Sequence, residues 1–169
     1  MRELKGIIEK REWLSRVFFP AFRCAWIGGL VLSFLLIPEP FLVLSANGKK
    51  VFISLSEGEK IFYSYIHSYT LSPVEDCWIF KEGELYLLGE RVFSGGAGNP
   101  SGDEGRHISR EDGSIIFYDI WRELPSHIYI RVSEKYRNAI SIRGEVYKLA
   151  EIFGDRARVK VSLVYLSGG

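Results

Sequence analysis

A histidine and a carboxylate flank a short polar turn: Tyr65-Ile66-His67-Ser68 is followed by Pro73-Val74-Glu75. If the segments on either side pair as strands, His67 and Glu75 lie close across that turn. An imidazole facing a carboxylate is a common element of general acid–base sites and of metal sites. The same residues also suit a plainer task, a hydrogen-bonded histidine that fixes the turn while Glu75 orients it. Turn fixing, ligand or metal binding, and hydrolysis by an activated water therefore stand side by side. Ser68 has no G-x-S-x-G elbow around it, so a turn hydrogen bond from its hydroxyl is the expectation rather than a nucleophile.

A second stretch is Ser94-Gly95-Gly96-Ala97-Gly98-Asn99-Pro100. Backbone amides of a glycine run can cradle an anion. The run lacks the GK[ST] ending of a P-loop and does not fit G-x-G-x-x-G, which excludes the usual nucleotide cradles. What remains is a tight bend with positive φ, or a hold on a small anion or carboxylate through Gly95, Gly96, Ala97 and Gly98. The polar loop continues to Arg106. Beyond it His107 lies among Asp103, Glu104, Glu111 and Asp112, without the D-x-[DN]-x-[DN]-G pattern of a calcium loop, and reads as solvated. Cys24 and Cys77 fall in unlike segments, and no Cys/His spacing suggests zinc. No metal and no cofactor is expected. A net charge of +1 supplies no basic excess for nucleic acid.

The elements around these residues read as strands. Val51–Leu55, Lys60–His67, Val74–Phe80, Glu84–Leu88, Ser114–Ile120, His127–Val132, Ala139–Ile142, Glu145–Lys148 and Arg156–Leu166 are β-branched, aromatic or alternating. Glu82-Gly83 and Arg143-Gly144 are turn signals. Only Leu149–Phe153 suits a helical turn. Trp78, Phe117, Tyr118 and Trp121 are expected in the core or in cross-strand pairs. With no βαβ alternation, the class is all-β: a sandwich or open barrel of mainly antiparallel strands.

One long apolar stretch, Val17 to Val43, precedes these strands. Its centre, Cys24 to Ile37, carries no charge, and Phe18, Phe19 and Phe41-Leu42-Val43-Leu44 extend it toward the roughly 20 residues of a spanning helix. The expected organisation is a basic cytoplasmic arm over 1–16, a transmembrane anchor over 17–44 and an extracytoplasmic β domain over 45–169. Arg2, Lys5, Lys10, Arg11, Arg16 and Arg23 precede or enter the stretch and Glu39 follows its centre, so the amino terminus is placed in the cytoplasm of a single-pass protein of the cell membrane. A signal peptide cleaved near Leu44-Ser45-Ala46 and a buried core helix are the alternatives.

The runs YSYIHSYTLSPVED, LYLLGERVFSGGAGNP and AISIRGEVYKLAEIF, with a β-rich RVKVSLVYL ending, resemble a family of small proteins catalogued as domain of unknown function 1850. The resemblance extends over Val51 to Leu166. Its HS…P-[VW]-E and GAG motifs map onto His67, Ser68, Pro73, Glu75, Gly96, Ala97 and Gly98. Ser94-Gly95 stands where a Ser-Phe pair is frequent. The resemblance implies no reaction. It implies a companion of tripartite ATP-independent (TRAP) transporters of the TAXI type, with the membrane and either the transporter's membrane subunit or its solute-binding protein as partners. A stand-alone module that binds a small ligand or metal through His67 and Glu75 is the alternative.

Overall fold

Alternating apolar residues and closely spaced turn formers produce eleven strands among the described residues of the computed structural model, 38–93 and 105–166. In chain order they are β1 (Glu39–Ala46), β2 (Lys49–Ser54), β3 (Lys60–Ile66), β4 (Pro73–Lys81), β5 (Glu84–Val92), β6 (Arg106–Ser109), β7 (Ile115–Glu123), β8 (His127–Arg131), β9 (Ala139–Ile142), β10 (Glu145–Lys148) and β11 (Arg158–Leu166). A 3-10 turn, Glu134–Tyr136, follows β8, and a short helix α1 (Leu149–Phe153) follows β10. Residues 40–166 form one compact unit.

The strands make two sheets, β2-β1-β11-β8 and β10-β9-β3-β4-β5-β7-β6. Every ladder of the larger sheet is antiparallel, as are β1–β2 and β8–β11. Their inner faces share one core: Leu42, Leu44, Ile53, Ile130, Val159 and Val161 from the smaller sheet meet Ile61, Trp78, Phe80, Leu87, Ile140 and Ile142 from the larger. Leu149 and Phe153 of α1 close its edge. The sandwich, not the open barrel, is the architecture, because both sheets keep separate edges.

Besides β6, which falls in the stretch read as a polar loop, two strands depart from the sequence reading. Phe41 to Leu44, taken as the far end of the anchor, are the middle of β1, with Leu42 and Leu44 fully buried. A short apolar run has the same hydropathy in a core strand as in a span, so hydropathy alone does not separate them. β1 thus begins at Glu39, inside the segment expected as the anchor. Cleavage near Ala46 would remove Leu42 and Leu44 from the core. The rest of the expected anchor, 17–37, and the arm before it lie outside the described residues; no described helix is long and apolar enough to cross a membrane.

β5 also runs four residues beyond Leu88. The β4–β5 ladder pairs Trp78 with Leu87 and Cys77 with Gly89, so Leu88 is bulged out. The bulge shifts the buried phase from Leu85 and Leu87 to Glu90 and Val92. Gly89 is required there, since a Cβ would lie 2.7 Å from the Phe117 carbonyl oxygen. The alternation expected of a strand breaks at this point, which is why the sequence reading stopped short.

Candidate functional site

The turn between β3 and β4 is built around His67. Its backbone N–H donates to Ser72 O at 2.9 Å, and its carbonyl accepts from Leu71 N–H at 2.9 Å. Its ring Nδ1 accepts from the backbone N–H groups of Tyr69 and Thr70, both at 3.3 Å. With Nδ1 an acceptor, the ring N–H is Nε2. The hydroxyls of Thr70 and Ser72 close the turn at 2.7 Å. This hydrogen-bonded turn leaves Tyr69 89% and Leu71 60% exposed, with Leu71 in the left-handed region at φ 54°. A leucine in that conformation is held by its surroundings rather than by its own preference. Ser68 is exposed beside it.

Glu75 does not meet His67. The register places Glu75 opposite Ser64 on β3 and Arg91 on β5, whereas His67 faces Ser72. The offset is three residues, about 10 Å along an extended chain. Each residue lines its own cleft. Pro73 and Glu75 lie in one of about 270 Å³ with Tyr65, Arg91, Phe93 and Arg137. Arg91 is turned to Asp112, with Nη2 to Oδ2 at 2.6 Å, and its Nε donates to the buried Ser114 hydroxyl at 3.3 Å. Asp112 in turn accepts from the Ser114 N–H and hydroxyl, bonds that hold its carboxyl below the usual range, with Arg91 adding to the effect. Gly95, Gly96, Ala97 and Gly98 lie outside the described residues. The strand that leads into them ends beside the first motif: Val92 pairs with Val74, and Phe93 lines the same cleft as Glu75.

His67 and Ser68 line a second cleft of about 570 Å³, where the end of β3 approaches the chain leaving β8. Tyr63 and Tyr65 supply its aromatic wall, their rings stacked at 5.0 Å and 23°. They share a face because they are two apart on one strand. Asn138, 5% exposed, braces the wall: its Nδ2 donates to the Tyr63 hydroxyl at 2.9 Å and its Oδ1 accepts from Ser133 N–H at 2.9 Å. Arg131 and Arg156 line the same cleft, and no carboxylate among the described residues does. The Arg156 side chain, 88% exposed, has a loose contact with Asp155, Nε to Oδ2 at 3.7 Å.

Behind this wall a row of polar groups crosses the inner face of the larger sheet. Tyr63 pairs with Asp76, which pairs with Glu90. Glu90 is 6% exposed, and Asp76 Oδ1 is buried without a hydrogen-bond partner among the described residues. Burial raises the Asp76 carboxyl to about 6, with a Trp78 hydrogen bond and the charge of Arg122 pulling the other way. Burial also raises the Tyr63 phenol to about 12, against the hydrogen bond from Asn138. Tyr65 is raised too, first by burial and then by the charges of Asp76 and Glu90.

Asn138, Arg131 and Arg156 carried no signal in the sequence, because they reach the cleft from segments far from β3. Tyr63 and Tyr65 were legible only as part of an aromatic strand. Trp78 is in the core as expected and Phe117 is half-buried, while Tyr118 and Trp121 are exposed; Lys81 lies over the Trp121 ring at 5.2 Å. Cys77 is free. No group of three or more His, Cys, Asp or Glu able to hold a metal occurs among the described residues. The family model described as "Domain of unknown function (DUF1850)" matches residues 61–149, from β3 to the first residue of α1. No curated protein and no solved structure matches the chain.

Proposed function

Since the chain belongs to the DUF1850 family, which names no reaction, we propose that it acts by binding: a membrane-tethered, non-enzymatic accessory protein of a TRAP-type transporter. The observation that carries this reading is the β3–β4 turn. A contact residue held rigid before binding loses less entropy on association. Here the His67 ring Nδ1 and the hydroxyls of Thr70 and Ser72 hold the turn, and Tyr69 and Leu71 are displayed from it to solvent. Tyrosine is among the residues enriched at the energetic centres of interfaces. The separation of His67 from Glu75 removes the acid–base pair on which a hydrolytic reading depended. The apolar segment before β1 supports the membrane tether.

The partner is the transporter's membrane subunit or its solute-binding protein, met through the turn. The test is co-purification of the tagged full-length chain with each subunit in mild detergent, alongside Tyr69→Asp/Leu71→Asp. Recovery of one subunit with the parent protein and its loss with the double variant is the expected result. Recovery of neither subunit, or equal recovery with the variant, overturns the proposal.

A further inference from the structure

We infer that the outer face of the smaller sheet is a docking surface for an anionic membrane. The inference rests on the membrane tether of the proposed function and is independent of the transporter. Leu44, Ile53, Ile130 and Val159 belong to the core, so their immediate neighbours on each strand point to the opposite side. Three features of that side select its occupant. The first is charge. Lys50, Arg131, Arg158 and Lys160 lie on it, and its one carboxylate among the described residues is Glu39, at the start of β1. None of the four basic residues has an ion pair among the described residues. Arg131 even stands directly opposite Arg158 in the β8–β11 ladder. Like charges so placed repel and cost stability, and a surface of anionic headgroups relieves that repulsion.

The second feature is the set of rings among these charges. Phe52 and Tyr129 are each 49% exposed. Phe41 meets Phe52 edge-on at 6.4 Å, and the Arg158 guanidinium lies over the Tyr129 ring at 4.2 Å. Rings of this kind enter the headgroup region while basic side chains keep their charge among the phosphates. The third feature is the place of the sheet in the chain. Pro38 alone separates β1 from Ile37, the end of the uncharged run read as the tether. A tether with so short a link holds the face at a high effective concentration of lipid surface. An acidic protein would match the charge, but the chain's own connectivity does not supply one.

The test is hydroxyl-radical footprinting of the full-length chain in nanodiscs of phosphatidylcholine, with and without added phosphatidylglycerol. Oxidation of Phe52 and Tyr129 should slow by about fivefold or more in the anionic discs, the worth of one basic residue at such a surface. High salt should restore it by screening. Tyr118, exposed on the larger sheet, should be unaffected. Lys50 and Arg131 are exposed, so Lys50→Glu/Arg131→Glu is expected to fold, which its thermal midpoint verifies, and to lose the protection. Equal oxidation in both lipids, equal slowing at Tyr118, or undiminished protection of the folded double variant each overturns the inference, leaving the face to an acidic protein or to the chain's own amino-terminal segment. Absence of the chain from discs of both compositions is a different result, which defeats the tether and the inference with it.

Discussion

Replacing Asp76 by Asn should stabilise the protein at neutral pH and leave it nearly unchanged in acid. Asp76 lies between Tyr63 and Glu90 in the register of the larger sheet, and burial is the largest influence on its carboxyl. Its value is raised from 3.8 to about 6. A gap of about two units, at about 1.4 kcal/mol each, makes the ionised carboxylate cost roughly 3 kcal/mol in the folded state. The attraction of Arg122 and the Trp78 hydrogen bond are already contained in that gap. The sign follows from which state holds the proton. Below pH 3.8 both states are protonated and the favourable contribution of neutral Asp76 is complete. Between 3.8 and about 6 the unfolded chain releases its proton while the folded chain keeps it, so stability falls as pH rises. Above about 6 the penalty is constant. Urea unfolding of the parent and Asp76→Asn at pH 4 and pH 7.5 measures the difference. The variant should gain about 2–3 kcal/mol at the higher pH and much less at the lower. A gain independent of pH, or a loss at pH 7.5, refutes the account of Asp76 as a buried charge.

Leu42→Ala should cost about 2–5 kcal/mol in chemical unfolding, since the residue is fully buried in β1; a neutral result would return this segment to the anchor. Gly89→Ala should cost about 1–3 kcal/mol through collision with the Phe117 carbonyl, measured in the same way, and no loss would remove the reason for glycine at the bulge. His67→Ala should cost about 1 kcal/mol by leaving the Tyr69 and Thr70 amides without their acceptor, whereas His67→Asn, which retains a side-chain acceptor, should recover part of it. Faster amide exchange at residues 69 and 70 in the alanine variant is the specific readout.

Most of the larger sheet was legible, because its strands are short alternating runs between glycine-bearing turns, and the helical turn at Leu149–Phe153 was read with the same bounds. β6 was missed: Arg106–Ser109 is four exposed residues that, among the described residues, pair with β7 alone, and a strand with no buried face leaves no hydrophobic period to read. β1 was mistaken because Phe41 to Leu44 continue an apolar stretch without a break. The site was less legible than the fold. His67 and Glu75 were singled out, yet their meeting depended on register: an eight-residue separation suggests a hairpin but not which residues oppose each other. Ser64, not His67, faces Glu75. The cleft escaped for a different reason, since Tyr63, Arg131, Asn138 and Arg156 are assembled by tertiary contacts.

The smaller sheet is drawn from both ends of the described chain: β1 and β2 come first, β8 and β11 late, and β11 is the neighbour of β1 at its centre. During synthesis, the apolar face of β1 and β2 therefore exists for more than a hundred residues before its partner leaves the ribosome. Long-range strand pairing of this kind is slow and leaves unpaired edges open to wrong partners. A stop codon that removes only β11 would do more than shorten the chain. It would take the strand that joins β1 to β8, remove Val159 and Val161 from the core and deliver a product marked for quality control, so late truncations in this chain should behave as complete losses.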